Sequence, residues 1–243
     1  MVLNPEDMIN GLLSLIFVTI SLIIGIKILS KYFEYRKREL LFAALSVILL
    51  SSIYWDYSFS FILYITLTIR LPDQVYFMVG IPCLPWALFF WLFTLSELMF
   101  KKQQKIVLSL FFIQTIIFEI IFFTLLIIQP SLIGRIISIV DSEYELFILS
   151  YIIFLNVILI LSAIIFAKNS VEFDEKLVKL KGLLILVGVL LFSVGGFLDI
   201  FSSISLVFLI VGRLIIMISG IILYIGITTP RRIMKILLKN ESQ

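Results

Sequence analysis

Two ionisable residues of opposite sign, Asp199 and Arg213, interrupt a stretch from Lys181 to Arg231 that otherwise reads as two apolar helices joined by a turn at Ser202-Ser203. An ionised side chain in hydrocarbon is costly unless it is paired or wetted, so an acid and a base there mark a site. A second acid, Asp56, lies in a similar apolar stretch among Tyr54, Trp55 and Tyr57. Asp56 and Asp199 fall near the outer ends of their helices, whereas Arg213 falls about 13 Å along the axis from the outer start of its own. A guanidinium on its long stem reaches toward the nearest water, which brings it to the level of the aspartates. The expected arrangement is a fork, with Arg213 bridging Asp56 and Asp199 in bidentate geometry. Such a cluster can bind a small polar or charged ligand from outside, act as a charge lock that a ligand opens, or clamp the helices together.

Other polar residues stand alone in apolar surroundings. Glu119 follows Gln114 and Thr115 in one segment, and Asn156 lies near the middle of the next. A carboxyl in hydrocarbon needs a partner, and a hydrogen bond from Glu119 to Asn156 is expected. In Ile81-Pro82-Cys83-Leu84-Pro85-Trp86, two prolines remove backbone donors and bend or loosen the helix, which predicts either a hinge or pocket wall at Pro82, Pro85 and Trp86 or a kink that serves packing alone.

Several chemistries drop out. The chain has no histidine, the commonest metal ligand and general base, and a single cysteine, Cys83, so neither a metal centre nor an internal disulfide is expected. A retinal Schiff base needs a lysine inside helix seven, and the lysines lie in connections or at cytoplasmic helix ends. No retinal or other cofactor is expected. Membrane aspartyl proteases use two carboxyls that share a proton. Asp199, however, follows Gly195-Gly196-Phe197-Leu198 instead of a Gly-x-Gly triplet, and a nearby arginine would hold both acids ionised. The reading is of a protein that is not an enzyme.

What positions these residues is a set of long apolar runs. With 62% hydrophobic and 14% charged residues and a mean hydropathy of +1.20, the chain lies far outside the make-up of a soluble domain. Seven runs, at about 8–31, 39–59, 75–98, 105–128, 146–167, 180–201 and 204–229, are each long enough to cross hydrocarbon as a helix. The fold class is therefore an all-α membrane protein, a seven-transmembrane helix bundle forming one domain over residues 1–243. Glu6 and Asp7 stand where a signal peptide would be basic, so the first helix is expected to remain. Sixteen of the nineteen Lys and Arg residues follow helices one, three, five and seven, among them Arg231, Arg232, Lys235 and Lys239. Only Arg70 and Arg135 lie in the opposite connections, which predicts an outside N-terminus and a cytoplasmic C-terminus in the cell membrane. Between helices two and three, Tyr64 to Leu71 alternates at period two and predicts a short extracellular β-ribbon or loop, the alternative being the tail of a tilted helix two.

The two halves also look alike. A shift of 143 residues lays Leu40-Leu41 on Leu183-Leu184, Asp56 on Asp199 and Ser60 on Ser203. A shift of 132 lays Val75, Val79 and Gly80 on Val207, Val211 and Gly212. This predicts a 3+1+3 internal repeat, residues 8–100 and 146–229 joined by the helix at 105–128.

Ser52-Ile53-Tyr54-Trp55, the basic Tyr35-Arg36-Lys37-Arg38, Tyr76-Phe77-Met78-Val79-Gly80-Ile81 and Pro85-Trp86-Ala87-Leu88-Phe89-Phe90 resemble the seven-transmembrane sensor region at the N-terminus of some histidine kinases. Helix count and orientation extend the likeness over the whole chain, while its motifs are confined to helices two and three. The layout is also similar to that of microbial rhodopsins, a likeness of scaffold alone. The kinase resemblance implies a receptor-like module that senses a small molecule or the membrane itself. Signalling would pass through a separate cytoplasmic protein partner touching the basic loops. In the kinases output domains follow this region, whereas here about a dozen residues follow helix seven, so a sensor lacking its own output domain is expected. The alternatives are a small-solute transporter with parallel three-helix repeats, and a structural membrane subunit. Against the transporter, the substrate-lining asparagines and the paired proline hinges expected in both halves are missing: helix three has Pro82 and Pro85, whereas helix seven has none before Pro230. The lipid bilayer and a small-molecule ligand are the other expected partners; nucleic acid is not.

Overall fold

The computed structural model describes residues 3–99, 101–202 and 205–229. Ser203 of the expected turn, and Arg231, Arg232, Lys235 and Lys239, lie outside the described residues. Seven helices are long and apolar enough to cross a membrane: α1 (Pro5–Tyr35), α2 (Arg38–Leu67), α3 (Asp73–Met99), α4 (Gln104–Ile128), α5 (Leu146–Val171), α6 (Lys176–Ile200) and α7 (Leu206–Thr228). Asn4 starts α1 with a capping box: its side chain accepts from the Asp7 backbone N–H at 2.6 Å while Asp7 accepts from the Asn4 N–H.

Two helices are irregular where they meet. Residues Ser51–Tyr54 of α2 tighten into a 3-10 turn, and α3 breaks at Ile81-Pro82 between Asp73–Gly80 and Cys83–Met99. Past the break the Leu84 N–H bonds the Ile81 carbonyl at 3.1 Å, so the Gly80 carbonyl loses its helical donor. Ser52 Oγ of the 3-10 turn supplies the replacement, donating to Gly80 O at 2.9 Å. The approach is close: a Cβ on Gly80 would stand 2.5 Å from the Ser52 carbonyl oxygen. α6 and α7 cross in the same manner, a Cβ on Gly212 falling 2.9 Å from the Gly195 carbonyl.

The β-ribbon is not between helices two and three. Tyr64 to Leu67 continue α2, which ends at Thr68 in the left-handed region (φ 59). The period-two pattern misleads because the Thr66 hydroxyl bonds back to the Ile62 carbonyl at 2.7 Å, so a polar residue sits in the helix with its donor satisfied. The ribbon instead joins α4 to α5. Strand β1 (Gly134–Ile136) pairs antiparallel with β2 (Ser142–Tyr144), and the turn between them is held by Ser138 Oγ, which accepts from the N–H groups of Val140 and Asp141. The tip is apolar and points inward: Ile139 and Val140 are buried against Phe17, Tyr54, Tyr57 and Met217.

α7 packs chiefly on α6, then on α1, and barely touches α2. This departs from a ring in which helix seven lies between helices six and two. α4 stands at the periphery against α3, with Phe118 stacked on Tyr151 of α5 at 3.6 Å.

The two kinds of glycine on these helices give a direct test. Gly80→Ala drives a methyl into a carbonyl and is expected to cost about 1–3 kcal/mol. Gly196→Ala, whose added Cβ meets nothing within 4 Å, is expected to leave thermal stability unchanged or slightly raised. Melting curves of the two variants in one detergent check the contrast.

Candidate functional site

Arg213 is 1% exposed and donates hydrogen bonds in three directions, one from each of its nitrogens. Its Nε donates to Asp199 Oδ1 at 3.0 Å, one terminal nitrogen to Ser14 Oγ at 2.9 Å, and the other to Asn10 Oδ1 at 3.0 Å. The guanidinium carbon lies 3.8 Å from the centre of the Tyr54 ring and 5.2 Å from that of Tyr57, so aromatic faces cover the cation. Ser14 in turn donates to the Asn10 backbone carbonyl at 2.7 Å, which fixes its lone pairs toward the guanidinium.

The expected fork is not formed. Arg213 pairs with Asp199 but not with Asp56, and α1 supplies the remaining acceptors because it, not α2, lies beside α7. Asp56 is fully buried and accepts from the Tyr57 backbone N–H at 2.9 Å and from the Tyr144 hydroxyl at 3.1 Å. It anchors the ribbon. Two further ties do the same: Ser138 donates a short hydrogen bond to Asp7 of α1, and Tyr76 of α3 donates to the Val140 carbonyl at 3.4 Å.

Beneath the ribbon lies a cavity of about 440 Å³ between α2, α5 and α6. Asp199, Asp141, Tyr54, Tyr57, Tyr144 and Asn156 supply its polar lining. Asp199 is the bridge between cavity and arginine, its side chain 16% exposed while Arg213 is sealed behind it. Asp141, on the ribbon, accepts from the Ser142 N–H at 3.0 Å. Burial raises the Asp141 carboxyl from its ordinary value of 3.8 to about 6, with Asp199 and Asp7 adding to the rise and the Ser142 N–H and Arg213 opposing it.

The other candidates separate from this site, Asn156 excepted. Trp55 Nε1 donates to Ser51 Oγ at 3.1 Å and does not line the cavity. Pro82, Pro85 and Trp86 form no part of its wall either; the break in α3 serves the contact with α2 described above, and Trp86 packs with Phe89, Phe90 and Phe112. Glu119 does not reach Asn156. Its carboxyl lies instead beside the Trp86 side chain, with Cys83 and Tyr151 in its field. Asn156 faces the cavity from α5.

Asn10, Ser14, Asp141 and Tyr144 are the site residues that the sequence reading missed. For the first two a signal existed: Asp7, Asn10, Ser14 and Ser21 recur at helical spacing in an apolar helix and mark one buried polar face. No protein-family model, curated protein or solved structure matches the chain. The meaning of the site therefore rests on its geometry.

Two measurements probe it. Arg213→Ala strands Asp199 and is expected to cost about 3–5 kcal/mol, and Arg213→Lys should not restore it, because a point charge cannot serve three divergent acceptors. Asp199→Asn retains an acceptor and should cost less, and a double-mutant cycle on melting free energies measures the coupling. The second is a pH profile. Asp141 binds its proton more tightly folded than unfolded, so its contribution is full below about 3.8 and is lost as pH rises through about 6. Arg213 on α7, Asp199 on α6, Asp7 on α1, Tyr57 on α2 and Tyr76 on α3 are the charged and titratable groups in its field. Asp141→Asn is expected to gain stability relative to wild type from pH 4 to pH 7. A gap that does not move with pH means that Asp141 is ionised throughout.

Proposed function

We propose that this protein is a receptor-like seven-transmembrane sensor whose ribbon end faces outside, and that the cavity beneath the ribbon is its ligand site. The orientation is supported by the basic residues between Lys27 and Lys181, which gather at the end away from the ribbon, against Arg70 and Arg135 beside it. One observation carries the ligand reading: Asp199 lines the cavity and at the same time holds Arg213, which is tied to α1 through Asn10 and Ser14. A ligand that competes for Asp199 alters the ion pair that joins α6 to α7, and with it the arginine that α1 holds by hydrogen bonds. α1 and α7 meet again at the far end, where Lys31 Nζ donates to the Thr228 carbonyl at 3.2 Å. Movement of these two helices would carry the signal to a cytoplasmic protein partner at the basic loops.

A second reading, the small-solute transporter, draws on the glycine crossings. The shift of 143 residues also lays Ser52 on Gly195, and the shift of 132 lays Gly80 on Gly212. The Gly80–Ser52 and Gly212–Gly195 approaches thus fall at equivalent places in the two halves, beside Asp56 and Asp199. They support the 3+1+3 repeat, and parallel repeats are one route to alternating access.

The test is a thermal-shift panel of amino acids, sugars, nucleobases, fatty acids, amines and ions, on wild type and an Asp199→Asn, Arg213→Ala double variant. A ligand at a hundredfold excess over its Kd stabilises the native state by about 2.7 kcal/mol. A compound that stabilises wild type and not the variant, and that changes the distance between spin labels at Lys31 and Thr228, supports the sensor. Net flux of that compound into liposomes would transfer the site to the transporter reading. If nothing shifts wild type and the variant merely melts lower, the network is a clamp.

A further inference from the structure

The same cavity is open on a second side. α5 and α6 are packed tightly at the end away from the ribbon, where a Cβ on Gly182 would stand 2.4 Å from the Ser170 side chain. Toward the ribbon they part, and a Cβ on Gly196, one of the cavity-lining residues, would meet nothing within 4 Å. Phe197, Ile153 and Val157 line the cavity and are also 61%, 49% and 47% exposed on the outside of the bundle. For helices apolar enough to span a membrane, that outside is lipid, so the gap between α5 and α6 connects the cavity to acyl chains.

The charge inside is one-sided. Asp141, Glu143 and Asp199 line the cavity, and no lysine or arginine does among the described residues. Arg213 lies in the field of Asp56 and Asp141 as well as Asp199, yet among the described residues forms an ion pair with Asp199 alone. Arg135, the nearest basic residue of the ribbon in sequence, is engaged by Glu145 at 3.3 Å. Polar capacity is also unused: Ser193 lines the cavity and its hydroxyl has no hydrogen-bond partner among the described residues, while Ser142, 8% exposed, brings a second hydroxyl to the lining beside Tyr76. Buried hydroxyls and carboxylates in such a pocket favour a cation that donates hydrogen bonds.

Resting on the ligand-sensing reading above, we infer that the cavity takes an amphiphile with a cationic amine headgroup, which enters from the surrounding leaflet between α5 and α6. The amine sits between Asp141 and Asp199 within reach of Ser142, Ser193 and Asn156. The tail lies along Ile153, Val157 and Phe197 and leaves through the gap into lipid.

The probes are dodecylamine, dodecanol and dodecanoate, one tail with three heads, with ethylamine as a head without a tail. Each is titrated by mole fraction into phosphatidylcholine nanodiscs holding wild type, Asp141→Asn or Gly196→Leu, and melting temperature is read. Dodecylamine is expected to bind wild type at least about tenfold more tightly than the neutral or anionic analogue. Asp141→Asn should lose about tenfold of that affinity. Gly196→Leu should melt like wild type without ligand and lose the dodecylamine shift; if it does not fold, Ile153→Trp closes the same gap from α5. Because an alkylamine stays charged from pH 5 to 7, its affinity for wild type should fall at pH 5 as Asp141 takes up its proton, and that for Asp141→Asn should not. Equal binding of dodecanoate, or no stabilisation by either amine, overturns the cationic class. Ethylamine or dodecylamine acting equally on wild type and Gly196→Leu overturns the lateral route. In each of these cases a hit of another class in the thermal-shift panel leaves the sensor reading standing, and an empty panel removes both.

Discussion

A buried guanidinium carries five N–H donors that no water can satisfy, and the ribbon end of this bundle is arranged around that requirement. Arg213 meets it with one carboxylate, one amide oxygen, one hydroxyl and two aromatic faces, drawn from α6, α1 and α2. None of these partners suffices alone. Asp199 offers charge but is partly open to the cavity, while Asn10 and Ser14 offer sealed neutral acceptors that keep the arginine in place when Asp199 is disturbed. A fork between two aspartates would have bound the cation more strongly and left nothing free to respond.

The ribbon follows from the same economy of polar groups. A loop between two membrane helices has its own backbone to satisfy, and the antiparallel turn from Gly134 to Tyr144 does this internally while the apolar tip, Ile139 and Val140, fills the space between α1, α2 and α7. Three side-chain bonds then fasten it to three helices through Asp7, Asp56 and Tyr76. Asp56 is thereby removed from the arginine and given to the lid of the cavity, which is why one aspartate in each half looks alike in sequence and does different work.

The helix count was legible because a run of about twenty apolar residues has one physical use. Asp199 and Arg213 were legible for the complementary reason, charge where hydrocarbon tolerates it least. What could not be read was azimuth. Residue spacing says which side chains share a face of one helix, but not which helix that face meets, so α1 was missed as the neighbour of α7 although Asp7, Asn10 and Ser14 already marked its polar stripe. The ribbon was misplaced through the ambiguity of period two in short segments: Thr66 hides its hydroxyl in its own helix, while Gly134-Arg135-Ile136 and Ser142-Glu143-Tyr144 are too short to alternate visibly. Proline misled differently, since the break at Pro82 frees the Gly80 carbonyl for Ser52 and places neither proline on the wall of the cavity beneath the ribbon.

Whether such a network clamps or responds depends on its charge balance. A structural clamp gains most when its charges cancel and each nitrogen of its cation has an acceptor, as Arg213 alone would suggest. Around it, however, Asp141 and Asp199 face a cavity whose described lining holds no base, and the lining Ser193 keeps an unpaired hydroxyl among the described residues. Burial already pushes Asp141 toward its protonated form, so the folded chain carries that excess negative charge at a cost in stability at neutral pH. A cation entering beside Asp141 and Asp199 would relieve that cost, and the relief is free energy available to shift α1 against α7. A site left short of one positive charge is one whose stability depends on what fills it.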